Sequence, residues 1–158
     1  MAYADFTFYS ESYFGDTLNA DNANKWLEIA SDELDALTFG KLTFAFPENA
    51  AHVSKVKKAV CAVADALYNI DVQRKAAAAT KEENGTYRGA VASISSGKES
   101  ISYSVSGSVS ASTYAAAAAN EAEQQKLIGS IAVKYLANIP DKNGINLLYA
   151  GEVRPCVP

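Results

Sequence analysis

Residues 47–80 read PENAAHVSKVKKAVCAVADALYNIDVQRKAAAAT. The larger aliphatic side chains recur at steps of three and four, the spacing that places side chains on one face of an α-helix. They are Val53, Val56, Val60, Val63, Leu67 and Ile70. The charged side chains fall largely off that face; they are Lys55, Lys57, Lys58, Asp65 and Asp71. Pro47 and Glu48 suit a first helical turn. The stretch therefore predicts a long amphipathic helix with one wet face at the centre of the fold.

Further helices accompany this central helix. Asp21 is a plausible N-cap for the preceding one, which Gly40 would end. Its buried stripe is expected to consist of Trp26, Leu27, Ala30, Leu34 and Leu37. A last helix is predicted over residues 114–138, closed by a proline. Residues 2–9 predict a short strand or an extended arm, followed by a helical turn over 10–13. The expected fold is mainly α: a small helical bundle around a long central helix.

Serine takes every second or third place between residues 93 and 112. Ile101, Tyr103 and Val105 alternate with serines, and a period of two indicates a β-strand with one apolar and one hydroxyl face. With residues 90–95 as a partner strand, the segment predicts an inserted β-hairpin. The same serine bias is also typical of a flexible loop.

Chain length favours a single domain over residues 1–158. The helical core is expected at about 10–80 and 114–139, the β-hairpin or loop insertion at 86–112, and an extended docking tail at 141–158. The tail is apolar but rich in turn residues, so it should dock on a surface. The sequence leaves open whether that surface belongs to the same chain or to a partner.

Composition narrows the function classes. No apolar run approaches the roughly 20 residues that span a bilayer. The first ten residues contain no basic side chain, so we expect no secretory signal and a cytoplasmic site of synthesis. A net charge of −4 argues against binding driven by phosphate neutralisation. Cys61 and Cys156 are too few for a disulfide framework, and Cys61 is expected to be a buried apolar side chain.

Charge is distributed unevenly along the chain. Residues 1–40 carry eight acidic side chains and one basic one, whereas residues 41–90 carry eight basic and five acidic ones. These segments are either solvated faces or acidic and basic flanks through which identical subunits meet head to tail, as in a ring.

No catalytic, cofactor-binding or metal-binding motif is recognisable in the sequence. His52 is the single histidine and has no zinc-ligand spacing around it. Gly97-Lys98 resembles the end of a phosphate loop, but the glycine required five residues earlier is Ala92. Asp32 and Glu33 lie on a helix without a calcium-binding loop. We therefore expect no enzyme and no cofactor.

Short motifs follow one another along nearly the whole chain. They are YFG at 13–15, DALTFG at 35–40, VKKAVCAVA at 56–64, ESISYS at 99–104, KYL at 134–136 and GINLLYAG at 144–151. In this order they resemble the head–tail connector (adaptor) family of long-tailed bacteriophages. Members typically end the tail motif with Tyr-Arg-Gly, where this chain has Tyr149-Ala150-Gly151.

The resemblance implies a structural virion protein that assembles in the bacterial cytoplasm as a ring, expected to be a dodecamer, beneath the portal protein at the virion neck. The ring would extend the channel for double-stranded DNA, without sequence recognition, and receive a stopper or tail-terminator protein. No membrane is involved. The alternative is a stopper or tail-completion protein of the neck.

The resemblance also assigns residues to two contacts. The portal-docking tail would use Leu147, Leu148, Tyr149 and Val153. The β segment that meets neighbouring copies in the ring would use Ile101, Tyr103 and Val105.

Overall fold

The computed structural model describes residues 2–77, 80–81, 87–88, 94–96, 99–101 and 113–150. Within these ranges the chain is mainly helical, as the sequence predicts. The helices are α1 (Phe6–Glu11), α2 (Ala20–Leu37), α3 (Lys41–Phe44), α4 (Ala50–Ala77), α5 (Thr113–Ala119) and α6 (Glu121–Leu136).

Strands of two or three residues lie between α4 and α5. β1 (Thr80–Lys81) pairs antiparallel with β2 (Tyr87–Arg88), and β3 (Ile94–Ser96) pairs antiparallel with β4 (Glu99–Ile101). Ladders this short are marginal on their own, and they do not support the inserted hairpin predicted over 86–112. Most of that segment, including Tyr103 and Val105, lies outside the described residues.

The amino-terminal segment differs from the prediction. Residues 6–11 form helix α1, so the strand or arm expected over 2–9 and the turn expected over 10–13 are wrong. The reason is the N-cap: Asp5 Oδ1 accepts a hydrogen bond from the Phe8 N–H at 2.8 Å. This cap begins a helix within an aromatic run whose side-chain pattern suggested an extended chain.

The N-cap of helix α2 lies two residues before the predicted one. Asn19 caps the helix and forms a reciprocal capping box with Asn22, so Asp21 lies in the first turn. The predicted stripe is confirmed in Trp26, Leu27, Ala30 and Leu34, whereas Leu37 is only partly buried. The segment 41–46 contains the one-turn helix α3, which buries Leu42.

The central helix is confirmed as α4, although it begins at Ala50 and leaves Pro47 and Glu48 outside the first turn. Its predicted stripe is buried except Val53, which is half-buried. Burial also extends to Ala59, Cys61, Ala64 and Ala66, beyond one stripe. The helix is therefore covered on more sides than its amphipathic pattern indicates, and the small side chains permit that close approach.

The predicted helix over 114–138 is interrupted. Asn120 separates α5 from α6, and its Oδ1 accepts a hydrogen bond from the Ala122 N–H at 2.9 Å. An asparagine in this role starts a new helix rather than continuing the preceding one. The sequence prediction of one continuous helix is wrong for this reason.

The chain divides into two compact units, residues 1–68 with 126–158 and residues 69–125. The first contains one hydrophobic core cluster to which the amino-terminal segment, α2, α3, α4, α6 and the residues after α6 all contribute. In the second, Arg74 Nε donates to the Ala118 carbonyl at 3.2 Å and Arg74 Nη2 donates to Gln124 Oε1 at 2.5 Å.

Tyr9 joins α1, the following loop and α4 in the first unit. Its buried hydroxyl donates to Asp65 Oδ1 at 2.6 Å and accepts from the Thr17 and Leu18 N–H groups at 3.0 Å each. Its ring lies over Gly15, where a Cβ atom would come within 2.1 Å of a ring carbon. The Tyr9 side chain therefore links the loop 12–18 to α4.

Replacement of Tyr9 by phenylalanine is expected to lower the free energy of unfolding by about 2 kcal/mol, because the buried N–H of Leu18 and the partly buried N–H of Thr17 lose their acceptor. Denaturant titration measures the change, with Tyr149→Phe as the exposed control. A loss below about 0.5 kcal/mol would contradict this role for the hydroxyl.

Candidate functional site

Residues 139–150, which follow α6, form a folded segment of the first unit that we call the tail mount. Asp141 closes its turn: the carboxylate Oδ1 accepts from the Asn143 N–H at 2.7 Å and the Ile145 N–H at 2.9 Å. Gly144 has a φ of 82°, which glycine adopts without strain. The Leu147 N–H then donates to the Ile139 carbonyl at 2.9 Å, so the chain folds back on itself.

Lys41 of α3 holds the far end of the tail mount. Its Nζ donates to the Asn146 carbonyl at 2.9 Å and to the Tyr149 carbonyl, and it lies 5.7 Å from the centre of the Tyr149 ring. The Lys142 N–H donates to the Ala45 carbonyl at 3.2 Å just beyond α3. These hydrogen bonds hold the tail mount beside α3 as far as Tyr149.

The tail mount contains three of the four residues assigned to portal docking. Leu147 is fully buried in the core of its own chain, Leu148 is partly buried, and Tyr149 is 62% exposed. Val153 lies outside the described residues. Of the proposed β-segment residues, Ile101 ends β4 opposite Ile94, while Tyr103 and Val105 lie outside the described residues.

A groove of about 520 Å³, which we call the Tyr3 groove, lies beside α3. It is lined by Ala2, Tyr3, Asp35, Leu42, Thr43, Phe46 and Lys57. The Tyr3 and Phe46 rings are stacked with their centres 5.3 Å apart. The Tyr3 hydroxyl donates to the Asp35 carboxylate at 2.7 and 2.8 Å. The groove therefore has an aromatic wall and one carboxylate that is already hydrogen-bonded.

Two phenylalanines project from left-handed backbone positions. Phe14 has a φ of 59° and is 79% exposed; Phe39 has a φ of 56° and is 62% exposed. Each directly precedes a glycine after a helix end. Bulky residues with positive φ are outliers, because the Cβ atom approaches the backbone carbonyl, and such strain concentrates at functional sites.

Burial shifts the pKa values of two titratable groups on α4. Burial raises the pKa of the Cys61 thiol to about 12, so the thiolate that a nucleophile needs is scarce at neutral pH. Burial also raises the pKa of Asp65, against the lowering effect of hydrogen bonds from Tyr9 and Tyr13. Among the described residues, no group of three or more His, Cys, Asp or Glu side chains could hold a metal ion.

Sequence reasoning missed the residues that build these surfaces. The sequence pattern assigns no role to Asp141 or to Lys41. No local pattern links Lys41 to a carbonyl 105 residues later. For Phe14, the signal available was the Phe14-Gly15 pair after a short helical turn, which marks a helix end but not an exposed ring.

Comparison of the chain with protein-family models, with curated proteins and with solved structures gave no match. Within the described part of the chain, no helix combines the length and the apolar character that crossing a bilayer requires.

Tyrosine titration should reveal the buried hydroxyl network. Burial raises the pKa of Tyr3 and of Tyr9 from 10.0 to about 12, with the Asp35 and Asp65 hydrogen bonds adding to it, and burial also raises that of Tyr13. The folded chain holds these protons more tightly than the unfolded chain. The stabilisation is therefore complete below pH 10 and is lost as the pH rises toward 12. Phenolate absorbance should lag for about a third of the nine tyrosines and rise together with loss of helical circular dichroism. A single unshifted transition would contradict this expectation.

Replacement of Lys41 by methionine should release the end of the tail mount without unfolding the core. Amides of residues 147–149 are expected to exchange about tenfold faster, while those of α2 and α4 stay protected. Hydrogen exchange read by mass spectrometry measures both, and Lys142→Met, an exposed lysine of the same segment, is the control. Equal exchange in the two variants would count against the Lys41 contact.

Proposed function

We propose that the chain is a structural head–tail connector (adaptor) of a long-tailed bacteriophage. In this role it forms a ring, expected to be a dodecamer, beneath the portal, extends the DNA channel and joins the capsid to the next neck or tail component. In this role the chain binds other proteins and catalyses no reaction. It would be assembled in the host cytoplasm and found in the virion neck.

The observation that carries the proposal is the tail mount. A connector needs a segment that leaves its folded core at a fixed place and reaches a partner. Lys41 holds residues 139–150 beside α3 and Asp141 closes the turn within them, both by charged hydrogen bonds, and the exposed Tyr149 ring lies near the end of this segment. Charge-assisted bonds of this kind are the stronger class. Exposed aromatic side chains are enriched at protein interfaces.

Because Leu147 is buried, fewer of the residues proposed for portal docking are available to a partner. A side chain that fills its own core is not available to a partner, so docking would depend on Tyr149 and Val153, with Leu148 at the edge. The β-hairpin and the contact between copies through Ile101, Tyr103 and Val105 remain part of the proposal, because a short unpaired ladder gains most by adding strands from an adjacent copy.

Two further properties agree with this role. A net charge of −4 suits a lumen through which DNA must slide without being gripped. The raised pKa of the Cys61 thiol fits a protein without nucleophilic chemistry.

The test removes residues 151–158 after Ala150, so that the buried Leu147 is kept, and in a second variant replaces Tyr149 by alanine. Each variant is expected to stay folded and to lose binding to the portal ring of the same phage by at least about tenfold. Val133→Ala, an exposed apolar side chain on α6, is the control.

Negative-stain images of complemented particles provide the second readout. The truncated chain should leave filled heads without tails, whereas the Val133→Ala chain should yield joined particles. A wild-type chain located below the neck ring, without contact to the portal, would instead identify a stopper or tail-completion protein and refute the adaptor role.

A further inference from the structure

We propose that Asn143 is a site of spontaneous deamidation, and that the isoaspartate formed there opens the turn closed by Asp141 and loosens the tail mount. Asn143 and Gly144 lie in the turn between Asp141 and Ile145. The modification would proceed whether or not the chain serves as a connector, because it needs only the polypeptide and water.

The reaction joins the backbone nitrogen of Gly144 to the side-chain Cγ atom of Asn143. The Gly144 N–H first gives its proton to hydroxide, and the nitrogen then attacks Cγ. The new N–Cγ bond closes a cyclic succinimide, while the Cγ–Nδ2 bond breaks and the amide nitrogen leaves as ammonia with a proton from water. Water next opens the ring at either carbonyl and yields aspartate or isoaspartate. Water is consumed and ammonia released, with no oxidation or reduction.

The position of Asn143 favours this reaction. A glycine on its carboxyl side leaves the attacking nitrogen unhindered, since glycine has no Cβ atom. Among the asparagines that the structure describes, Asn143 is the one that a glycine follows. Both residues are exposed, and a Cβ atom added to Gly144 would meet nothing within 4 Å. Hydroxide and water can therefore reach the reacting atoms, and the succinimide has room to form.

The hydrogen bonds of the turn control the rate. The Asp141 carboxylate accepts from the Asn143 and Ile145 N–H groups at 2.7 and 2.9 Å, and the Asp141 N–H donates to the Ile145 carbonyl at 2.7 Å. The Gly144 N–H donates to the Asp141 carbonyl at 3.1 Å, the longest of these distances. The nitrogen must leave this carbonyl before it attacks. Deamidation therefore requires the exposed turn to open locally, which costs much less than global unfolding.

Isoaspartate at position 143 would not maintain the turn. The main chain then runs through the former side chain and is longer by a methylene between Asn143 and Gly144. The Asp141 carboxylate accepts from N–H groups on both sides of this link, so the spacing that both bonds need is lost. A new carboxylate also appears at residue 143 beside that of Asp141, and like charges repel. The tail mount is therefore expected to loosen.

The first test follows the natural sequence. The folded chain and the chain unfolded in guanidinium chloride are incubated at the same neutral pH, and peptide mass spectrometry locates isoaspartate after labelling by an isoaspartate-specific methyltransferase. Conversion at Asn143 is expected to be slower in the folded chain by no more than about a hundredfold, because local opening suffices. Asn146, followed by leucine in the same segment, is the internal control. Greater slowing, or equal conversion at Asn146, would overturn the proposal.

Asn84 also precedes a glycine and lies outside the described residues. Its peptide is measured separately in the first test. The chains used in the next two tests carry Asn84→Gln, so that Asn143 is the remaining asparagine before a glycine.

The second test asks whether Asp141 controls the rate. Asp141→Ala removes the Oδ1 acceptor, whereas Asp141→Asn keeps an oxygen in that place. Conversion at Asn143 is expected to be at least about fivefold faster in the alanine variant and within about twofold of the parent chain in the asparagine variant. Equal rates in the two variants would overturn the proposal. Circular dichroism shows whether each variant is folded, and the first test needs no substitution in the tail mount.

The third test measures release of the tail mount. Hydrogen exchange of amides 147–149 is compared among the parent chain, its purified isoaspartate form and Asn143→Asp, which adds the charge without lengthening the main chain. Exchange is expected to be about tenfold faster in the isoaspartate form and near the parent rate in Asn143→Asp. Unchanged exchange in the isoaspartate form, or equal acceleration in both, would overturn the link between the modification and the tail mount.

Discussion

Burial of α4 on more than one side is the constraint on which the first unit depends. Consecutive residues of the helix are fully buried at 59–61 and again at 63–64, so neighbours must contact it from several directions. Side chains of α2, α6, the amino-terminal segment and the tail mount share one cluster with it. Alanines and Cys61 allow these segments to approach closely, and each covered methylene adds to the hydrophobic stabilisation.

Polar side chains fix the segments that this packing brings together. Tyr9 reaches Asp65 across 56 residues of sequence, and Lys41 reaches the tail mount across 105. Among the described residues, no buried side-chain nitrogen or oxygen lacks a hydrogen-bond partner. Since an unsatisfied buried polar group is costly, these links select one arrangement of loop and tail over others with similar apolar burial.

The same links determine what the surface presents. Tyr9 orders the loop whose exposed residue is Phe14, and Lys41 orders the segment whose exposed residue is Tyr149. Both exposed rings stand on rigid supports, which is the arrangement that protein recognition uses when it limits the entropy lost on binding. The proposed portal contact therefore has a physical basis in a core that holds an aromatic side chain outward.

The sequence by itself determined the helical class, the central helix and most of its buried stripe, because hydrophobic periodicity depends on residues a few positions apart. It failed where a local cap competed with that pattern, at Asp5 and at Asn120. Only the tertiary structure decided that Leu147 fills the chain's own core, that Lys41 holds the tail mount, and that Tyr3, Asp35 and Phe46 line one groove. Those relations join residues far apart in the chain, and no spacing along the sequence encodes them.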